Sequence, residues 1–294
     1  MPIRPRRSVL YMPGSNARAL EKAKTLAADA LILDLEDAVA PDAKDLAREQ
    51  VIAAVRAGGY GKREIAIRVN GLATPWGEAD LKAAAGARPN AILVPKVQVP
   101  GDLDAVRLVL RRAGTDAAQS LWAMMETPLA ILNAATIAAA GSADYPLTVF
   151  IMGTNDLAKE TRASLSGGRL GMVAWLSTCV AAGRANGIDI IDGVFNEIGD
   201  ADGLEAELGQ GRLLGMDGKT LIHPSQIEPC NAAFSPPPEE VDWARKIIAA
   251  FELKENAGKG VISLEGRMVE LLHAQIAKRT VAIADMIAER EAAN

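Results

Sequence analysis

The sequence predicts a (β/α)8 (TIM) barrel followed by a C-terminal helical extension, on three observations. Eight short apolar runs recur along the chain, each followed by a longer amphipathic stretch. Most of these runs are continuous Val, Ile and Leu, the pattern of parallel strands buried on both faces. Polar residues close the runs at a steady interval: from Glu36-Asp37 to Arg68, Lys96, Glu126 and Asp156 the steps are 32, 28, 30 and 30 residues. Each step is about one strand–helix unit. In a barrel the C-terminal strand ends converge on one face, so this spacing gathers charges from five strands into one mouth. A doubly wound sheet would spread the same residues along an edge.

The strands are expected at residues 8–12, 30–35, 64–69, 91–95, 121–125, 147–152, 188–191 and 220–222. Helices are expected at 17–28, 43–57, 78–85, 103–112, 130–139, 172–186 and 204–214. Ser15-Asn16, Pro41-Asp42 and Thr127-Pro128 are helix-start signals, and Gly58-Gly59 and Gly141 suit helix ends. Phe234-Ser-Pro-Pro-Pro238 breaks the repeat. The expected division is a barrel over residues 1–233 and an extension or lid over 234–294. Within the extension, helices at 239–253 and from 265 to about 289 would flank a loop at 256–260.

Composition narrows the function classes. The 294 residues carry a net charge of -5, so no global basic field exists to hold nucleic acid or an anionic membrane. Two cysteines, Cys179 and Cys230, make neither a disulfide framework nor a metal-ligand pair, which fits a reduced cytoplasm. No apolar stretch has the length of a signal peptide or of a membrane span.

Glu126 and Asp156 each follow an apolar run, one strand–helix unit apart. Two carboxylates from adjacent strand ends, with further positions left to water and ligand oxygens, suit Mg²⁺. Each could instead cap the helix that follows it. Arg68 could grip an acidic substrate through its planar fork, or pair internally with a mouth carboxylate. Lys96 reads as a charge partner, and Asp34, Glu36 and Asp37 surround one strand end. Arg4, Arg6, Arg7, Arg18, Lys22 and Lys24 form a basic N-terminal cluster. It is either a phosphate or nucleotide-tail site or a solvated face. Gly218-Lys219-Thr220 lacks the first glycine of a P-loop, and Gly209-Gln-Gly211-Arg-Leu-Leu214 breaks the dinucleotide fingerprint. With only His223 and His273 present, a multi-histidine zinc site is excluded, and His223 reads as a hydrogen-bonded structural residue.

Seven segments carry a family resemblance: Arg7-Ser-Val-Leu-Tyr-Met-Pro-Gly-Ser-Asn16, Leu33-Asp-Leu-Glu-Asp-Ala-Val-Ala-Pro-Asp42, Ile67-Arg-Val-Asn-Gly71, Val94-Pro-Lys96, Met125-Glu-Thr127, Gly153-Thr-Asn-Asp-Leu157 and Gly218-Lys-Thr-Leu-Ile-His-Pro224. In order and spacing, from about residue 4 to 280, the chain resembles the citrate lyase β-subunit family of the HpcH/HpaI aldolase superfamily. Malyl-CoA and citramalyl-CoA lyases belong to the same group. The resemblance implies a Mg²⁺-dependent barrel, usually trimeric or hexameric, that cleaves or forms a C–C bond in 3-hydroxyacyl thioesters. It implies Glu126 and Asp156 as metal ligands and Arg68 as the grip on the 2-oxo acid carboxylate. Arg7 and Lys22 would hold CoA phosphates, with Glu36 and Asp37 as supporting acids. In CoA-dependent relatives the acid/base is an aspartate of a C-terminal Met-Ile-Asp motif, contributed across a subunit interface. Here Gly266-Arg-Met-Val-Glu270 supplies glutamate at that position.

The expected activity is therefore retro-Claisen cleavage of a citramalyl-CoA-, malyl-CoA- or citryl-type thioester into a 2-oxo acid and an acyl-CoA. A thioesterase acting on malyl-CoA is the alternative within enzymes. A non-catalytic barrel that binds a 2-oxo acid or CoA is the alternative outside them, favoured by the change at position 270.

Overall fold

The continuous apolar runs become strands because, once helices cover one face and the barrel interior the other, no polar face is needed. The computed structural model describes residues 3–114 and 119–292. Strands β1 (Ser8–Pro13), β2 (Ala30–Asp34), β3 (Glu64–Arg68), β4 (Ala91–Val94), β5 (Ser120–Met125), β6 (Leu147–Met152), β7 (Asp189–Asp192) and β8 (Gly218–Leu221) close into a parallel barrel. They run in sequence order, and β8 returns to β1 through pairs such as Val9 with Thr220. Alternate residues, among them Val9, Ile32, Leu93, Trp122, Val149 and Ile191, fill the interior as one buried cluster. The intervening ones, such as Leu10, Leu31, Ile67, Ile92 and Phe150, pack outward against helices. That period of two is what a pleated strand imposes.

The surrounding helices are α1 (Ala17–Lys22), α2 (Lys44–Ala57), α3 (Gly77–Ala87), α4 (Pro100–Arg112), α5 (Pro128–Leu132), α6 (Ala134–Ala139), α7 (Thr154–Thr161), α8 (Val173–Ala185), α9 (Ala201–Leu213) and α10 (Ile227–Phe234). Local chemistry sets their starts. Asn16 accepts from Ala19 N at 3.1 Å, Thr127 from Ala130 N at 3.1 Å, and Asp200 from Gly203 N at 2.9 Å. Each side-chain oxygen satisfies a backbone donor that the first helical turn leaves free. The helix expected at 130–139 is two short ones divided at Asn133, and α7 and α10 were not foreseen.

The chain divides into two compact units, Arg6–Phe234, which is the barrel, and Ser235 onward together with the residues before Arg6. The second unit holds α11 (Pro238–Glu252), the hairpin β9 (Val261–Leu264) and β10 (Arg267–Glu270), and α12 (Leu271–Glu291). Ile247, Ile262, Val269 and Ala277 form its core. The long helix expected from residue 265 therefore begins six residues later. Glu265 and Gly266 both take positive φ, 49° and 78°. Two successive left-handed residues make the two-residue turn whose twist matches an antiparallel hairpin. No helix among the described residues is long and apolar enough to cross a membrane.

Candidate active site

The C-terminal strand ends form the mouth, and a cavity of about 320 Å³ opens there, lined by Tyr11, Arg68, Met124, Glu126, Asp156 and Asn196 among others. Charges spaced about 30 residues apart in sequence meet at this point. Arg68, the last residue of β3, donates from Nε and Nη2 to the two carboxylate oxygens of Asp34, both at 2.6 Å. Its Nη1 lies 2.8 Å from Glu36 and 3.1 Å from Asp37. The Tyr11 ring stacks against the guanidinium, 4.9 Å from its centroid to Cζ. Of the two readings of Arg68, the internal ion pair is present, and Asp34 takes its bidentate face. Nη1 is engaged by Glu36 and the exposed Asp37, so an anionic ligand reaching this edge would take their place. Burial opposes the Arg68 charge, but Asp34 more than restores it, so the group stays cationic.

Asp34 also builds the loop that carries the other acids. Its oxygens accept from Glu36 N at 2.9 Å and Ala38 N at 3.0 Å. The Lys44 ammonium donates to the carbonyls of Leu35 and Glu36 at 2.8 and 2.7 Å, and to Asn70 at 2.8 Å. Glu36 is thereby held inward, whereas the Asp37 side chain is 65% exposed. Burial pushes the Glu36 carboxyl up to about 8 against the pull of Arg68, so at neutral pH it is an acid able to donate a hydrogen bond.

On the other wall, Glu126 is fully buried and stands one residue past β5. Its Oε1 accepts from Lys96 N at 2.7 Å, while Oε2 has no hydrogen-bond partner. Gly153, after β6, makes room for it: a Cβ there would lie 2.3 Å from the Glu126 Cβ. Asp156, in the first turn of α7, receives the Lys96 ammonium at 2.8 Å, and the same ammonium lies 3.5 Å from Glu126 Oε1. Burial pushes the Glu126 carboxyl up to about 7, against the opposing charge and N–H of Lys96. Partial burial works against ionisation of Asp156 too, but the Lys96 hydrogen bond and charge hold it below the usual carboxylate range.

These carboxyls make the metal-free fold sensitive to pH. The folded state favours protonated Glu36 and Glu126 over a carboxyl's ordinary 4.5. Their contribution to stability is complete below about pH 4.5 and is lost as pH rises through 7 to 8. The melting temperature in EDTA is thus expected to fall between pH 5.5 and 8.5, and more steeply in the wild type than in Glu36→Gln. A flat profile in differential scanning fluorimetry would contradict the assignment.

A divalent hard cation fits this donor set. Glu126 Oε2 is a buried carboxylate oxygen without a partner, Asp156 stands beside it, and a cationic group already bridges the two. Two protein carboxylates with remaining positions for water and substrate oxygens are the usual arrangement for Mg²⁺. Among the described residues no cluster of three or more His, Cys, Asp or Glu forms a metal cage.

The basic cluster is dispersed. Arg6 and Arg7 precede β1 and therefore sit at the opposite end of the barrel from the mouth. Arg6 pairs with Glu64, at 2.6 Å, and with Asp189, at the starts of β3 and β7. Arg7 donates to Asp29 at 2.9 Å and is 4% exposed. This corrects the expectation that Arg7 holds a CoA phosphate: the residue is a buried structural cation far from the chemistry. Lys22, at the end of α1, remains exposed. Lys219 is fully buried between Asp192 and Glu207, so Gly218-Lys219-Thr220 is part of the scaffold. His223 hydrogen-bonds Ser225 at 2.7 Å. Glu270 belongs to the C-terminal unit, where it closes β10 and its N–H donates to His273 Nδ1 at 2.9 Å. Sequence reasoning passed over Tyr11, Met124 and Asn196. For Tyr11 the alternation of β1 was available, since it shares the inward phase of Val9.

A family model described as HpcH/HpaI aldolase/citrate lyase matches residues 7–224. The chain belongs to that family. A second model, described as a C–C bond lyase of the TIM-barrel fold, matches residues 172–287 of this HpcH/HpaI aldolase/citrate lyase member. The chain is 51% identical over 285 residues to a (3S)-malyl-CoA thioesterase of Cereibacter sphaeroides (strain KD131), covering 97% of this chain and 96% of that protein. It is 34% identical over 307 residues to an L-malyl-CoA/beta-methylmalyl-CoA lyase of the same species (strain ATCC 17025), covering 97% and 96%. Among solved structures, the protein CitE from Mycobacterium tuberculosis in complex with magnesium, acetoacetate and coenzyme A superposes with a TM-score of 0.74 at 28% identity. That match covers 96% of this chain and 98% of the other.

Proposed function

We propose that this HpcH/HpaI aldolase/citrate lyase member is a Mg²⁺-dependent enzyme of CoA thioesters of small hydroxy acids, and that it hydrolyses a malyl-type thioester. The observation that carries the metal-dependent reading is the buried, unpartnered Glu126 Oε2 beside Asp156 and within the same cavity as Arg68. Hydrolysis is preferred over C–C cleavage because the relative at 51% identity over nearly the whole chain is named a thioesterase. The retro-Claisen reading expected from the motifs stands second, favoured by the relative at 34% named a lyase.

Glu126 and Asp156 would hold the ion. When bound, Mg²⁺ would supply a Lewis-acid charge to substrate oxygens. Arg68, clamped by Asp34 and Tyr11, would exchange the Asp37 contact at Nη1 for the terminal carboxylate of the acyl group. Protonated Glu36 would keep that edge from being neutralised by a second buried anion. A second cavity of about 460 Å³ shares Val194 and Asn196 with the first and gives an elongated thioester room beyond its head group. Lys22, exposed like Arg18, would meet the anionic end of CoA. By the family resemblance, Glu270 would be the acid/base, supplied across a subunit interface by a second copy of the chain, moving a proton to or from water in hydrolysis or the departing carbon in cleavage.

Incubation of the metal-replete protein with (3S)-malyl-CoA and citramalyl-CoA, read by mass, separates the chemistries. Free CoA with the intact hydroxy acid is the expected result, whereas acyl-CoA with a 2-oxo acid would select the lyase. Glu270→Gln is expected to lower turnover about 10²- to 10⁴-fold, as loss of a general acid/base does. Its Mg²⁺-induced rise in melting temperature should match the wild type. Retained turnover would remove Glu270 from the chemistry.

A further inference from the structure

The cation lying between Glu126 and Asp156 belongs to the chain itself. Lys96 stands two residues past β4, and its backbone takes the left-handed conformation at φ 52°. Few residues other than glycine adopt that region without cost. The turn aims the Lys96 N–H at Glu126 Oε1, at 2.7 Å, and brings the ammonium to 2.8 Å from Asp156 and 3.5 Å from Glu126. Glu126 and Asp156 would be two carboxylates in one partly dry site, and an uncompensated buried charge is costly. The Lys96 side chain is 40% exposed, which leaves it solvent to swing into, whereas Glu126 is fully buried.

We propose that Lys96 is a tethered counter-ion of the carboxylate pair, which a divalent cation must displace to load the site. The inference rests on the metal reading given above and adds a consequence to it. Whatever the ammonium contributes to the metal-free site is subtracted from the affinity for the metal, because both occupy the same anionic gap. Lys96 thus sets the divalent concentration at which the site fills. A merely structural lysine would alter folding and leave that concentration unchanged.

Lys96→Gly is the clean test, since glycine suits the left-handed backbone and keeps the N–H to Glu126 while removing the ammonium. Lys96→Met keeps the aliphatic stem, and Lys96→Arg keeps the charge. Metal-free full-length protein would be titrated with Mn²⁺, with free ion counted by electron paramagnetic resonance. Lys96→Gly and Lys96→Met are expected to bind Mn²⁺ at least about tenfold more tightly than the wild type, a conservative share of the attraction between charges this close. Lys96→Arg should stay within about threefold of the wild type by the same reasoning. Lys96→Met should melt lower than the wild type in EDTA and regain the difference in saturating Mn²⁺. Equal or weaker Mn²⁺ binding by both Lys96→Gly and Lys96→Met overturns the counter-ion role while leaving the metal site standing. Absence of binding by wild type and variants alike overturns the metal site and the inference with it.

Discussion

Asp156→Ala is expected to lower turnover about 10³-fold or more and to abolish the rise in melting temperature that Mg²⁺ produces, on the scale of lost metal or oxyanion stabilisation. Asp156 is one of two carboxylates facing the same cation-sized gap, and the other, Glu126, is already committed through Oε1 to the Lys96 N–H. With Asp156 gone, one buried oxygen and the waters around it would have to retain the ion. Metal-free stability should change little, because the Asp156 side chain is 26% exposed and its partner Lys96 has solvent to turn to. Glu126→Gln should be equally inactive with a different stability signature. A neutral amide does not need to ionise above pH 7 in a dry site, so in EDTA at pH 8 this variant should melt at or above the wild type. Full turnover by Asp156→Ala in the presence of EDTA would exclude the metal mechanism altogether.

The barrel was legible because its strands are buried on both faces and so appear as uninterrupted apolar runs. The expected 147–152 coincides with β6, and the other seven strands fall within about two residues at each end. The mouth was legible for a related reason, since a charge can follow such a run only where the strand leaves the core. What the linear order does not carry is direction. Arg6 and Arg7 read as a basic cluster beside Arg18 and Lys22, yet β1 lies between them and puts the first pair at the end of the barrel opposite the mouth. Nor does it carry pairing. Asp34 looked like one of three equivalent acids, and only the fold sets both its oxygens against the Arg68 fork. The C-terminal hairpin was missed because β9 and β10 are four residues each, too short for alternation to stand out against the helical pattern that follows.

The pairing of Asp34 with Arg68 leads to the second large effect. Arg68→Lys keeps the positive charge but not the planar fork, so it can neither bridge both Asp34 oxygens nor hold a fixed edge toward the cavity. Turnover of a malyl-type thioester is expected to fall about 10²-fold, the scale of a displacement of roughly 1 Å at a positioned group. Asp34→Asn, which leaves the guanidinium in place with a weaker clamp, should cost about tenfold by the same argument. Both variants also loosen a buried ion pair, so lower melting temperatures alone would not establish a role in the chemistry. The decisive comparison is a thioester without the terminal carboxylate, 3-hydroxypropionyl-CoA. If Arg68 grips that carboxylate, wild type and Arg68→Lys should turn this compound over at similarly low rates, with the discrimination between substrates lost in the variant. If the substitution instead slows both thioesters by the same factor, Arg68 supports the barrel mouth and the substrate carboxylate is held elsewhere.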